Sequence, residues 1–398
     1  MLQLEEAQQR LLAMAQLLPI ERVLVADALG RYLAEPLLAR RTQPAGDVSA
    51  MDGYAMRAVD LPGPWQVIGE SAAGHPFASA LGHYEAARIS TGALLPDGAD
   101  MVLMQEDAQR DGERLTLDGA PPSPPGRHVR RCGNDFRAGV ELLPAGSRFG
   151  PAQLALALAG GHSHLAVRRV PVVAIIDSGD ELASDPTACP PHQVPASNGT
   201  MLAALVQAAL PCSIIRIGPV ADRVDAFAQA FDRAAKADVI VTSGGASVGD
   251  HDLLQPALDA RGATTDFWKV AIKPGKPLLV ARKGDQVVVG LPGNPVSSMV
   301  TAYLFLLPLL RAMLGAASTR PRAILAQLGA DMPPGDSRRE FVRGFWDGTK
   351  VTPRANQDSG ALASLGAANV LIDRPALANS APAGSFVPVY LFENGGIA

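Results

Sequence analysis

Cysteine is scarce in this 398-residue chain: three residues, Cys132, Cys189 and Cys212, stand far apart. That excludes a disulfide framework and a paired CxxC zinc site, and a reducing cytoplasm fits best. An excess of positive charge is lacking as well. The 35 Lys and Arg against 39 Asp and Glu give a formal net charge of -4, which leaves no basic footprint for nucleic acid. An anionic ligand must therefore be met by local cations in a pocket. The opening Met-Leu-Gln-Leu-Glu-Glu puts acids where a secretory signal carries positive charge, so secretion is not expected. A clean membrane span is also missing: residues 296–314 are interrupted by Ser297, Ser298, Thr301, Pro308 and Arg311 and read as a buried helix. There is no internal repeat or low-complexity tract, and the histidines, His162 and His164 included, form no ligand pair at metal spacing.

What is present is an ordinary globular composition, 47% hydrophobic and 19% charged, in a chain long enough for two to four domains. Residues 3–18 carry helical spacing through Leu4, Leu11, Leu12, Met14 and Leu18, and residues 22–34 repeat it up to Pro36. From about 44 to 136, glycine and proline punctuate short apolar runs at 65–68, 101–104 and 114–117, which predicts a small β domain. Helical character returns at 151–161, with proline in the first turn and a glycine stop. The β domain (44–136) is thus expected to be an insertion in an elongated helical or linker domain of residues 1–43 plus 137–168. Over 169–318, strands at 170–176, 213–217, 238–242 and 286–291 alternate with helices near 199–210 and 222–236. That alternation predicts an α/β domain with a doubly wound, mainly parallel sheet, which binds ligands at the carboxyl ends of its strands. Short runs at 323–328, 340–346, 369–372 and 386–392 predict a β-barrel-like C-terminal domain over 319–398.

The densest chemistry lies between Thr242 and Pro295. A β-branched strand breaks into Ser243-Gly-Gly-Ala-Ser-Val-Gly-Asp-His-Asp252, a turn able to aim backbone amides at an anion. Lys269, Lys273 and Lys276 follow, the last two in Ile272-Lys-Pro-Gly-Lys-Pro277, where the prolines stiffen the loop. A second turn, Pro292-Gly-Asn-Pro295, ends the next strand. Donors, cations and the hard oxygens of Asp250 and Asp252 match a phosphorylated ligand with a divalent metal. On local grounds alone, the first turn also reads as a plain strand-to-helix loop with Asp250 or Asp252 as a cap, and Asp52 reads as a turn residue. Position at a strand's carboxyl end favours function for Glu181.

Seven motifs in order then carry a resemblance. They are Ser49-Ala-Met-Asp-Gly-Tyr-Ala55, Arg88-Ile-Ser-Thr-Gly-Ala93 with Leu95-Pro-Asp-Gly-Ala-Asp100, Arg130-Arg-Cys-Gly-Asn-Asp135 and Ser178-Gly-Asp-Glu-Leu182. The 243–252 and 272–277 stretches and Leu291-Pro-Gly-Asn-Pro-Val-Ser297 complete the set. Across nearly its whole length the chain resembles MoeA-type molybdopterin molybdenumtransferases. The resemblance implies a central sheet of the molybdopterin-binding type and a homodimer whose cleft lies between the α/β domain of one subunit and the inserted domain of the other. It implies insertion of molybdenum from molybdate into adenylated molybdopterin, with Mg²⁺ and release of AMP.

Residue by residue, the resemblance gives Asp52, Thr91, Asp135, Glu181, Asp252, Lys269, Lys273 and Lys276 catalytic roles. It makes Glu181, Asp250 and Asp252 metal ligands. Substrate contacts fall to Ser243, Gly244, Gly245, Ser247, Gly249, Pro292, Gly293, Asn294, Pro295, Ser297, Arg343 and Ser359, with Lys276, Ser297, Arg343 and Ser359 around molybdate. Partners implied are the molybdopterin adenylyltransferase and proteins that mature molybdoenzymes, with no nucleic acid and no membrane. Two positions depart from the pattern: Asn134 replaces an acid before Asp135, and Ala221 precedes Asp222 where an acidic pair is common. The rival functions are adenylylation of molybdopterin and a non-catalytic dimeric scaffold that binds molybdopterin or its cofactor.

Overall fold

In the computed structural model, which describes residues 1–245 and 253–392, the apolar runs of the central region form one six-stranded sheet. Its strands are β1 (Val172–Ser178), β2 (Ser213–Val220), β3 (Val239–Ser243), β4 (Thr264–Trp268), β5 (Leu279–Lys283) and β6 (Gln286–Leu291). The order is β2-β1-β3-β6-β5-β4. β1 runs parallel to β2 and β3, and β3 parallel to β6, while β5 and β4 return antiparallel. β3 is buried at every position, as expected of a parallel strand covered on both faces.

Helices α1 (Leu4–Ala13), α2 (Asn198–Ala209) and the long α5 (Pro295–Met313) pack on one face of the sheet. Helices α3 (Val224–Arg233) and α4 (Leu254–Ala260) pack on the other. The doubly wound expectation therefore holds. From β1 the chain crosses to β2 on one side and then to β3 on the other, so the strand order reverses beside β1. A crevice opens at such a switch point, outside the strands' carboxyl ends.

Helix α5 is the one helix among the described residues long and apolar enough to cross a membrane, yet 94% of its apolar window is buried inside the protein. It is the core helix of the central unit. Its middle relaxes into a π-turn over Ala302–Leu306, just before Pro308. Pro308 has no N–H to offer the carbonyl one turn back, that of Leu304. The buried Gln8 of α1 fills the gap, its Nε2 donating to the Leu304 oxygen at 2.7 Å.

The segments flanking the insertion meet as a ladder. Ile20–Leu24 pairs antiparallel with His164–Arg168, Leu37–Leu38 with Glu141–Leu143, and Gln43 bridges Phe136. The helix expected over 22–34 gives way here to a strand and a 3-10 turn at Val25–Asp27. Burial alternates residue by residue along Ile20–Leu24, the signature of a half-covered strand whose partner is remote in sequence. Inside the insertion, Gly53–Met56 lies between Met101–Met104 and Glu85–Ile89 in a second six-stranded sheet.

At the C-terminus, Arg339–Trp346, Lys350–Pro353, Ile324–Leu328, Phe386–Leu391 and Val370–Arg374 pair in that order. The last also pairs with the first, so the five strands close a barrel. Several contacts fasten this barrel to the central unit, two of them at the edge nearest α1. Ile272–Lys273 adds to its edge in parallel with Arg339 and Glu340. The Arg339 guanidinium grips Asp373 through two hydrogen bonds and reaches Glu5 of α1.

Replacing Gln8 by Leu keeps the apolar bulk and leaves the Leu304 carbonyl buried without a donor. We expect a loss of about 1–3 kcal/mol, read as a lower urea midpoint for the central unit; an unchanged midpoint would contradict the role given to Gln8.

Candidate active site

Three strand ends and one barrel loop wall a single cleft of about 1140 Å³. From β1 come Asp177, Ser178, Gly179 and Glu181; from β3, Ser243, Gly244 and Gly245; from β6, Pro292, Gly293, Asn294, Pro295 and Ser297. Lys273 and Lys276 enter from the loop between β4 and β5, and Gln357, Asp358, Ser359 and Gly360 close the wall from the barrel.

Glycine is required at two of these turns. Gly244 has φ +104°, and a Cβ there would sit 2.4 Å from the Ser178 carbonyl oxygen. Gly179 has φ +146°, and a Cβ there would lie 2.4 Å from Glu181 Oε2, so its absence makes room for the Glu181 carboxylate to fold back over the turn. The β6 turn is tied to the barrel by Asn294 Nδ2, which donates to Ser359 Oγ at 2.7 Å, and by Val296 N, which donates to the Ser359 carbonyl at 3.1 Å. Across the cleft, Asn198 at the start of α2 donates to both Ser243 Oγ and the Gly293 carbonyl.

Of the residues singled out in the sequence, Glu181, Ser243, Gly244, Gly245, Lys273 and Lys276 line this cleft together. So do Pro292, Gly293, Asn294, Pro295, Ser297 and Ser359. Ser247, Gly249, Asp250 and Asp252 lie outside the described residues. The two loop lysines differ. Lys273 Nζ is held by Glu340 at 3.0 Å and Asp336 at 3.2 Å, and these acids raise its pKa above the ordinary lysine value. Lys276 makes no ion pair among the described residues and is exposed, so its charge is available to a ligand.

Other expected residues lie away from the cleft lining. Lys269, at φ +92°, directs its ammonium over the ring of Trp268, 4.8 Å from the centroid. Arg343 is fully buried behind the wall: its Nη2 donates to the carbonyls of Asn356 and Asp358, each at 2.9 Å, and burial pushes its pKa below the usual arginine value. It thus shapes the 356–359 loop from behind. Asp52, Thr91 and Asp135 are exposed on the insertion and are not among the described residues that line this chain's cleft. Asp52 Oδ1 accepts from the Thr91 amide at 2.7 Å and from its hydroxyl at 3.1 Å, which holds the carboxyl below the usual range.

Sequence reasoning passed over Asn198 and Asp177 and kept Asp222 only as a departure. Asp222 lines the cleft and exchanges amide-to-carboxylate hydrogen bonds with Asp180: its N donates to Asp180 Oδ1 at 3.1 Å, and its Oδ2 accepts from Asp180 N at 3.4 Å. Asp177 is buried, accepts from the Gly199 amide at 3.1 Å, and burial raises its pKa against the opposing charge of Arg216. An asparagine opening a helix reads as a cap, so nothing local marks Asn198 as a site residue. Among the described residues, no three His, Cys, Asp or Glu side chains cluster as a metal site.

Three family models cover the chain: the MoeA N-terminal region (domain I and II) over residues 2–161, a probable molybdopterin binding domain over 174–312, and the MoeA C-terminal region (domain IV) over 326–392. A molybdopterin molybdenumtransferase of Haemophilus influenzae is 34% identical over 87% of this chain and 86% of its own length. One of Bacillus subtilis is 33% identical over 94% and 91%. The crystal structure of a molybdopterin biosynthesis MoeA protein from Pyrococcus horikosii superposes with a TM-score of 0.80 at 31% identity, covering 98% of this chain and 99% of that one. Fold and relatives together define the class, a multidomain α/β transferase of molybdenum cofactor biosynthesis. The chain belongs to the MoeA family, the molybdopterin molybdenumtransferases.

Arg343→Met keeps length and removes the two bonds to the 356 and 358 carbonyls. Hydrogen exchange of the 356–360 amides should speed up by about tenfold or more, given the 1.5–3 kcal/mol worth of a charged hydrogen bond; unchanged exchange would show that the loop stands without Arg343.

Proposed function

We propose that the chain transfers molybdenum from molybdate to adenylated molybdopterin and releases AMP, with Mg²⁺ as cofactor. The observation that carries this is the meeting, in one cleft, of two glycine-bearing strand-end turns, two lysines and the Ser359 loop of the barrel. A phosphoanhydride requires donors and cations along one wall, and the Gly244 and Gly245 turn with Lys273 and Lys276 meets that requirement. Molybdate, a tetrahedral dianion, requires hydroxyls beside a cation; Ser297, Ser359 and the exposed Lys276 are the matching set, with Arg343 holding the Ser359 loop in place. The dithiolene of the substrate brings the sulfur ligands, which accords with a chain holding three cysteines.

Magnesium keeps several waters and takes one or two carboxylates plus substrate phosphates, so a wall with Glu181 and Asp222 fits it without a protein cage. Asp250 and Asp252, the other acids assigned to it, belong to the 246–252 segment. When bound, the ion would offset charge on the anhydride oxygens. The chain's own part is to bind the anhydride along the glycine turn, orient it with the lysines, and hold the oxyanion against the barrel loop.

We assign Asp52, Thr91 and Asp135 to the same reaction through a homodimer in which one subunit's insertion reaches the partner's cleft. Their exposure on the insertion, with Asp52 ionised by its two bonds from Thr91, suits that use. The division into residues 1–43 with 137–168, 44–136, 169–318 and 319–398 belongs to this reading. So do a cytoplasmic setting and hand-over from the molybdopterin adenylyltransferase to proteins that mature molybdoenzymes.

Given adenylated molybdopterin, Mg²⁺ and molybdate, the chain should release AMP and form the cofactor. Lys276→Ala should slow this by about a hundredfold, the usual effect of removing one preorganised charge donor. ATP-dependent synthesis of the adenylate, or tight binding with no turnover, would overturn the proposal.

A further inference from the structure

Asn198 occupies the first position of α2, between two of the three strand-end turns. Its Nδ2 donates to the Gly293 carbonyl at 2.7 Å and to Ser243 Oγ at 2.9 Å. A carbonyl oxygen only accepts, so the Gly293 contact fixes which way the amide faces. The second hydrogen on Nδ2 is then committed to Ser243. A serine oxygen that already accepts must turn its own hydrogen elsewhere, and among the described residues the Ser243 hydroxyl has no other hydrogen-bond partner. Ser243 lines the cleft.

We propose that Asn198 is a positioning residue that turns the Ser243 hydroxyl into a hydrogen-bond donor to a phosphate oxygen of the bound nucleotide. The inference rests on the nucleotide reading given above and assigns that reading a residue which the sequence motifs did not supply. The seat of Asn198 is itself built for the task. The Gly199 amide donates to Asp177 Oδ2 at 3.1 Å, and a Cβ at Gly199 would fall 2.1 Å from that oxygen, so a glycine next to Asn198 lets β1 anchor the first turn of α2. The side-chain amide of Asn198 also ties the β3 and β6 turns to each other, so that donor hydroxyl and backbone turn keep a fixed separation when the ligand arrives.

The test is calorimetric titration of the full-length chain with AMP, for the wild type, Asn198→Ala, Ser243→Ala and the double variant, with thermal melting to confirm folding. Each single change should weaken AMP binding about tenfold, the worth of one hydrogen bond to a charged group, and the double variant should bind no more weakly than Ser243→Ala. Losses that add, or an Asn198→Ala chain that binds AMP as the wild type does, would overturn the proposal. If Asn198→Ala melts, Asn198→Ser serves instead, because it keeps a short donor near Gly293 and drops the reach to Ser243. A wild-type chain that binds no AMP overturns the nucleotide reading as well, whereas wild-type binding with independent effects removes the Asn198 role alone.

Discussion

Parallel alignment of β2, β1, β3 and β6 is the constraint on which the rest of the molecule depends. It brings every carboxyl end to one edge, and the reversal of strand order beside β1 opens that edge into a crevice. The turns after β1, β3 and β6 have no other place to go. Glycine at 179 and 244 then lets backbone and carboxylate approach where side chains would collide. The barrel completes what the sheet begins: it is fastened through the Ile272–Lys273 edge and the Arg339 clamp, and its 357–360 loop becomes the fourth wall.

The same arrangement explains how charge is distributed. In a protein of net charge -4, positive charge at the cleft has to be local, and the two loop lysines that line it are held in different ways. Lys273 is held by Glu340 and Asp336, which fixes its ammonium at the seam between sheet and barrel. Lys276, three residues on, is exposed and makes no ion pair among the described residues. Arg343, buried behind the Ser359 loop, organises the carbonyls of Asn356 and Asp358, a use suited to a guanidinium with five donors and a planar head.

Much of this was legible from residues alone. The strands at 101–104, 114–117 and 286–291 emerge with the bounds their apolar runs suggest, because β-branched residues between turn signals leave little choice. The alternation of strands and helices gave the parallel sheet, and the sheet gave the cleft. Tertiary pairing was not legible. Residues 20–24 look helical until His164–Arg168 arrives to pair with them, and Lys269 looks like its two neighbours until its positive φ turns it onto Trp268. Asn198 was invisible for a related reason: its value lies in two acceptors brought from 45 and 95 residues away.

The central claim is that the strand-end turns and the barrel loop form one site for a nucleotide phosphate and an oxyanion. Crystals soaked with AMP and molybdate test it most directly. The account predicts phosphate density against the Ser243–Gly245 turn and anomalous molybdenum signal beside Lys276, Ser297 and Ser359. Ligands bound elsewhere, with this cleft filled only by water, would contradict it.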